Sequence, residues 1–220
     1  MTSRPVLLFD LDGTLVDSAP DLAGAANELR AAHGLGPLPL AVLRPMVGAG
    51  ARGMVGIAFG VLPGDPRFDG LKNDFLARYA DRLLHSTRVF DTVAPVLDAL
   101  DHAGLTWGIV TNKAMRFAAP LVEGLGLAAR AGVLIAGDTT PHAKPHPAPL
   151  LEAARRLGAV AGACVYIGDD HRDMLAGRAA GMTTMAATWG YLGQGEPVHA
   201  WGADQVLSSP SELLQWLEVA

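Results

Sequence analysis

Two aspartates stand one residue apart at the end of an apolar run, Pro5-Val6-Leu7-Leu8-Phe9-Asp10-Leu11-Asp12, and Gly13-Thr14 after them reads as a sharp exit turn. Side chains alternate along a strand, so Asp10 and Asp12 are expected on one face. Two carboxylates facing one small volume repel unless a cation lies between them or one keeps its proton. The pair therefore points to a metal site or to acid–base work. A single strand-end aspartate also serves as a turn former or helix N-cap, and the pairing is what argues for more than that.

Other polar groups follow other apolar runs. Thr111-Asn112 follows Thr106–Val110; Lys144, in Ala143-Lys144-Pro145-His146-Pro147, follows Val133–Ala136; Gly168-Asp169-Asp170, with Asp173 beyond, follows Cys164–Ile167. Thr111 and the Asn112 backbone N–H offer donors for phosphoryl oxygens, and Lys144 offers a point cation. Asp169 and Asp170 add hard oxygen ligands of the kind Mg²⁺ prefers. Singly, each has a plain use: turn or cap residues, a solvated lysine, a helix start. Four such groups at four successive strand ends favour one shared site.

The elements that must position them alternate. Strands are expected at Val6–Asp10, Thr106–Thr111, Val133–Ala136, Cys164–Gly168, Thr183–Ala187 and Gln205–Leu207. Helices are expected at Ala94–Ala103, Ala114–Leu125, Ala148–Leu157, Arg172–Ala180 and Pro210–Leu217. Such alternation implies an α/β fold with a doubly wound parallel sheet and a site at the carboxyl ends of its strands. Residues 19–88 break the rule. They read as helices at Asp21–His33, Leu40–Met46, Ala51–Phe59 and Arg67–His85, an all-helical insertion hung over the site. The expected organisation is a core of residues 1–18 and 89–220 with a helical lid of residues 19–88, hinged near Val16–Ala19 and His85–Asp91.

Composition sets outer limits. The 220 residues are 50% hydrophobic and 18% charged, enough for a substantial core. A net charge of −5 argues against a general nucleic-acid partner. The single cysteine, Cys164, lies in an apolar run and excludes an intrachain disulfide. The first apolar stretch is too short for a signal core or membrane span, so a cytoplasmic location and no membrane partner are expected. A monomer and a homodimer are equally compatible with the sequence.

Taken together, Asp10-Leu11-Asp12-Gly13-Thr14-Leu15-Val16-Asp17-Ser18, Thr111-Asn112, Lys144-Pro145 and Gly168-Asp169-Asp170 with Asp173 resemble the four motifs of haloacid dehalogenase-superfamily phosphatases. Within that superfamily, GIVTNK at 108–113, KPHPAPLLEAARRLG at 144–158 and YIGDDHRDMLAGRAAGM at 166–182 resemble bacterial phosphoglycolate phosphatases. GARGMVGIAFG at 50–60, WGYLG at 189–193 and WGAD at 201–204 resemble proteins of the same label, including a branch acting on N-acetylmuramic acid 6-phosphate. The resemblance implies a Rossmann-like core with an inserted cap and an Mg²⁺-dependent phosphomonoesterase. It implies Asp10 as nucleophile forming a phosphoaspartate, Asp12 as general acid and base, and Lys144 as the cation offsetting the transferring phosphoryl charge. It implies metal ligation by Asp10, the Asp12 backbone carbonyl and Asp169, with Asp170 or Asp173 completing the set. An acid at Asp12 separates the chain from dehalogenases, and Lys72, the only lysine in 19–88, sits beside Asp74 in a surface helix, against Schiff-base chemistry. Sugar-phosphate mutases share the aspartate pair.

Substrate choice belongs to the cap. Arg52, in the glycine-rich segment Met46–Gly53, is the candidate contact for a small phosphate ester, with Arg116 and His142 behind it. His146 reads as a structural hydrogen-bond former, and Trp189, Tyr191 and Trp201 read as packing residues. The rival of another class is a receiver-like phosphoaspartate module. Receivers are shorter, lack an acid two residues after the acceptor and carry no lid.

Overall fold

Leu7, Leu8, Ile109, Val110, Tyr166, Ile167 and Met185 are all fully inaccessible, as befits short strands that are apolar on both faces and covered by helices on either side. The computed structural model describes residues 4–219. Its elements are β1 (Val6–Phe9), β2 (Val16–Asp17), α1 (Ala19–Ala32), α2 (Leu40–Leu43), α3 (Gly50–Phe59), α4 (Phe68–Arg82), β3 (Arg88–Val89), α5 (Ala94–His102), β4 (Trp107–Val110), α6 (Met115–Gly124), β5 (Leu134–Ile135), α7 (Ala148–Arg156), β6 (Cys164–Gly168), α8 (His171–Ala179), β7 (Thr183–Ala187), β8 (Gln205–Leu207) and α9 (Ser211–Trp216).

Six strands form one parallel sheet in the order β5-β4-β1-β6-β7-β8. Phe9 is level with Ile109 on one side and Ile167 on the other, so the chain leaving β1 does so beside the exits of β4 and β6. That convergence is where open α/β sheets bind ligands. One sheet face, with Leu7, Phe9, Ile109 and Ile167, packs on Leu97, Leu121 and Leu213 of α5, α6 and α9. The other, with Leu8, Val110 and Tyr166, packs on Leu150 of α7 and Ala176 of α8. The period-two alternation thus feeds two cores.

The helices α1 to α4 build a third apolar cluster, in which Leu22, Leu29, Met54, Val55, Phe75 and Tyr79 meet, joined from the core by Phe117 and Tyr191. The expected helix Leu40–Met46 is shorter than its pattern: α2 passes into a 3-10 turn over Arg44–Ala49, and Gly50 opens α3 at φ 61°. The run Leu40–Phe59 has a mean hydropathy of 1.2 and the length to cross a membrane, yet these breaks divide it and its inner side packs on α1. Where two hinges were expected, β2 and β3 pair as an antiparallel ribbon. Asp21, fully buried in the first turn of α1, ties the far side: its Oδ2 accepts from Ser86 N, Thr87 N and Thr87 Oγ1, each at 2.8 Å.

Strand β1 stops at Phe9, one residue short of expectation. Asp10 and Asp12 therefore do not share a strand face. Both line the same cavity, and directly after them the chain turns at Gly13, whose φ of 86° suits glycine and where a Cβ would collide with the Asp169 carboxylate.

Candidate active site

Asp10, Asp12, Thr111, Asn112, Lys144, Asp169, Asp170 and Asp173 all line one cavity of about 230 Å³ at the carboxyl ends of β1, β4 and β6. Its opposite wall comes from the helices, with Leu22, Val47, Phe75, Leu76 and Tyr79. The groups that the sequence scatters over more than 160 positions are brought together.

Lys144 is the centre of the charged part. Its ammonium, 3% exposed, lies 2.9 Å from Asp10 Oδ1 and 2.7 Å from Asp173 Oδ1. It also donates to Tyr166 Oη at 2.7 Å and to the Val110 carbonyl at 3.1 Å. Burial works against the ammonium, but Asp10 and Asp173 outweigh it and hold the Lys144 pKa above the ordinary lysine range. Asn112 fixes the backbone of that lysine: its Nδ2 donates to Lys144 O and its Oδ1 accepts from Lys144 N, both at 2.9 Å. The Asn112 side chain is thus spent on positioning Lys144. Thr111, 2% exposed, accepts from Lys113 N through Oγ1 at 3.1 Å and keeps its own hydroxyl proton to donate.

Asp10, Asp169 and Asp173 each present a carboxylate oxygen within 4.8 Å of the others. Burial pushes the Asp10 carboxyl up to about 7 against the pull of Lys144, with Asp173 adding to the rise. Burial, then Asp10 and Asp173, likewise raise Asp169 well above the carboxylate range. Asp10 Oδ1 is buried and faces the Lys144 ammonium at 2.9 Å. Each Asp169 oxygen takes one bond, Oδ1 from Thr14 Oγ1 at 2.9 Å and Oδ2 from Tyr191 N at 2.7 Å, which fixes the carboxylate and leaves lone pairs over. Three crowded, buried carboxylates with lone pairs to spare fit a divalent cation.

Asp170 departs from the ligand role set out for it. It N-caps α8, accepting from Arg172 N at 2.9 Å while Asp173 accepts from Asp170 N, a reciprocal capping box. Its carboxylate is also forked by Arg172 at 2.8 and 2.7 Å, and although burial opposes it, Arg172 holds its pKa low. The position of a helix cap turns this side chain away from the acidic triad, and Asp173, one turn on, takes the place beside Asp10. Arg172 continues across to the carbonyl of Gly48, linking core to helices.

Asp12 is held from two sides. Ser18 Oγ donates to Oδ1 at 2.5 Å, and Lys113 Nζ is 3.0 Å from both oxygens. Burial opposes the Lys113 charge, but Asp12 and Tyr79 more than offset it and its pKa is raised.

Arg52 does not reach the cavity: it is exposed on α3 while Gly50 and Ala51 beside it form the wall. Arg116 does reach it, with its guanidinium 4.6 Å over the Phe117 ring. His142 and His146 lie on the surface with ring centroids 4.5 Å apart and planes tilted by 38°, and they do not line it. Trp201 is buried and Trp189 donates to the Thr14 carbonyl, both as packing residues. Tyr191 is more than packing. Its hydroxyl accepts from Ser18 N and Ala19 N at 2.8 and 3.0 Å and lies 3.0 Å from Asp17 Oδ1, so one residue braces both the entry to α1 and Asp169.

Lys113, Tyr79, Arg172 and Tyr166 are the residues that sequence reasoning passed over. Lys113 follows Thr111-Asn112 directly, a cation at a strand exit, and was open to detection. Tyr79 stands one turn from Phe75 on α4 and reads as core.

Residues 5–181 match the haloacid dehalogenase-like hydrolase family. The chain is 48% identical over 208 residues to a phosphoglycolate phosphatase of Xanthomonas campestris, covering 94% of this chain and 93% of that one. It is 43% identical over 215 residues to an N-acetylmuramic acid 6-phosphate phosphatase of Pseudomonas aeruginosa, with 97% and 95% covered. Its fold matches the crystal structure of a predicted phosphoglycolate phosphatase from Haemophilus somnus with a TM-score of 0.85 at 26% identity, over 98% and 99% of the two chains.

Proposed function

Because the chain belongs to the haloacid dehalogenase-like hydrolases, we propose that it is an Mg²⁺-dependent phosphomonoesterase acting through a phosphoaspartate on Asp10. The observation that carries this is the setting of Asp10: a buried carboxylate crowded by Asp169 and Asp173 and 2.9 Å from a buried lysine, just beyond the end of the central strand β1. Asp10, Asp169 and Asp173 would hold the metal, with the Asp12 backbone carbonyl. The ion supplies positive charge between the nucleophile and the phosphoryl oxygens, which would otherwise repel.

The remaining work falls to side chains. Lys144 and the Thr111 hydroxyl, with the Asn112 N–H, orient the phosphoryl group and offset its spread-out charge. An Asp10 oxygen forms a bond to phosphorus as the bond to the leaving oxygen breaks, and Asp12 passes its proton to that oxygen. Asp12, now a carboxylate and steadied by Lys113 and Ser18, takes a proton from water as the water attacks phosphorus, and Asp10 is released. The ion pair with Lys113 corresponds to this second, basic state. Residues 19–88 act as a cap over a catalytic core of 1–18 and 89–220, the ribbon β2–β3 being the crossing between them.

The favoured substrate is 2-phosphoglycolate, supported by the relatives that bear that label and by Lys113, Arg116, Lys144 and Arg172 around one cavity. An amino-sugar 6-phosphate is the second reading, supported by the Pseudomonas relative and by the apolar breadth of the helical wall. Phosphate release from both esters, with Mg²⁺ and with EDTA, tests the reading. Mg²⁺-dependent release that vanishes in Asp10→Asn is expected; full activity of that variant would overturn it.

A further inference from the structure

The side of the cavity next to Asp12 holds a buried cation and a buried hydroxyl with no assigned partner in substrate. Lys113, its side chain 7% exposed, meets Asp12 and lies 4.8 Å from the centre of the Tyr79 ring. Tyr79, on α4, is 2% exposed and lines the cavity, and its hydroxyl sits beside the Lys113 ammonium, which can only donate, so that among the described residues the phenol proton has no acceptor. Proteins rarely bury a phenol O–H without an acceptor, because its hydration is lost without return. Packing does not require the oxygen: Phe75, one turn earlier, fills the same apolar cluster without one. The Lys113 ammonium has three donors, and two serve the Asp12 oxygens.

We propose that Tyr79 and Lys113 together bind an oxygen atom of the leaving alcohol, carried on the carbon next to the ester carbon, so that the enzyme selects esters bearing a carboxylate or hydroxyl there. The inference rests on the phosphatase reading. If Asp12 protonates the ester oxygen, that oxygen lies within hydrogen-bond reach of Asp12 and hence close to Lys113. A substituent oxygen a few bonds farther from phosphorus then falls between Lys113 and the Tyr79 hydroxyl. Leu22 and Phe75 beside them keep the contact dry, which strengthens it. An ester without that oxygen leaves the buried Tyr79 O–H without an acceptor and is disfavoured, as sites built for a substrate hydroxyl reject the analogue lacking it.

The test is initial-rate kinetics of the Mg²⁺-loaded protein and of Tyr79→Phe, which removes only that hydroxyl. Three esters are compared: 2-phosphoglycolate for a carboxylate, glycerol 3-phosphate for a hydroxyl, and ethyl phosphate for neither. Expected is a loss of about tenfold in kcat/KM, carried mainly by KM, for at least one of the oxygen-bearing esters, with ethyl phosphate changed by less than about twofold. Which ester loses more identifies the group. Equal losses on all three, or no loss on any, would overturn the inference while leaving the phosphatase reading intact. Failure of the unaltered protein to hydrolyse any phosphate ester would overturn both.

Discussion

The two walls of the cavity are built on opposite principles. On the strand side, Lys144 touches Val110 O, Tyr166 Oη, Asp10 and Asp173, and its backbone is clamped by Asn112. On the helical side, Leu22, Val47, Phe75 and Leu76 offer shape alone, and the Tyr79 hydroxyl, beside Lys113, has no acceptor for its proton among the described residues. Buried charges balance in few arrangements, and removing one strands its neighbour. Apolar side chains of similar volume replace one another at small cost. The strand wall is therefore fit to hold an invariant phosphoryl group, and the helical wall to be retuned for different alcohols.

The contrast is tested most severely by Asp10→Asn, which should lower phosphate release by about 10⁴-fold or more, against Leu76→Met, which should stay within a few-fold. Comparable losses from both would erase the distinction. Lys144→Met should follow in size, destabilising the protein by about 3–5 kcal/mol because Asp10 and Asp173 lose their common counter-charge. Urea denaturation at constant pH measures it, and a loss under about 1 kcal/mol would mean that the acids carry protons and need no partner.

Metal removal probes the same wall. Asp10 has its pKa raised to about 7 by burial, and Asp169 is raised too. A carboxyl with a folded pKa above its unfolded value of about 3.9 adds stability below that value, which is lost as pH rises through the folded pKa. In EDTA, the melting temperature should therefore fall between about pH 4 and pH 8. Mg²⁺ should restore it, more at the upper end, where the acids are ionised. An EDTA melting curve that is flat or rises over that range would contradict the electrostatic description of the triad.

The same contrast explains what was legible in the sequence. Parallel strands announce themselves as unbroken apolar runs, and the polar residues at their exits have few other reasons to recur, so the sheet, its helices and the convergence of Asp10, Thr111, Lys144 and Asp169 could be read directly. The exact route of the chain could not. Asp10 and Asp12 reach one cavity from beyond the end of β1 rather than along a strand face, and Asp170 went to a helix cap because a side chain there is claimed by the backbone N–H groups of the helix start. On the helical side, Tyr79 and Arg52 looked alike as helix residues, and only packing determined that the tyrosine faces the cavity and the arginine the solvent.

Between the walls, Tyr191 braces the crossing. Tyr191→Phe removes the acceptor for Ser18 N and Ala19 N, so a loss of about 1–3 kcal/mol in stability is expected. Asp169 should keep its place, since the bond to it comes from the Tyr191 backbone. Chemical denaturation reports the first effect, and an unchanged Mg²⁺ dependence of activity reports the second. A shifted Mg²⁺ dependence would show that the hydroxyl, through the entry to α1, also sets the acids proposed to hold the metal.

The smallest effect should come from the residue that the sequence favoured for specificity. Arg52 is exposed and outside the cavity lining, so Arg52→Ala should change kcat/KM by less than about twofold and stability by no more than about 0.5 kcal/mol. Arg116 lines the cavity, and Arg116→Ala should raise KM for an anionic ester several-fold, with the loss shrinking as salt is added, because a charge at a mouth acts through long-range attraction. If Arg52→Ala instead proves the more damaging, α3 must swing inward during turnover, and the helical wall then selects its alcohol by closing on it rather than by standing shape.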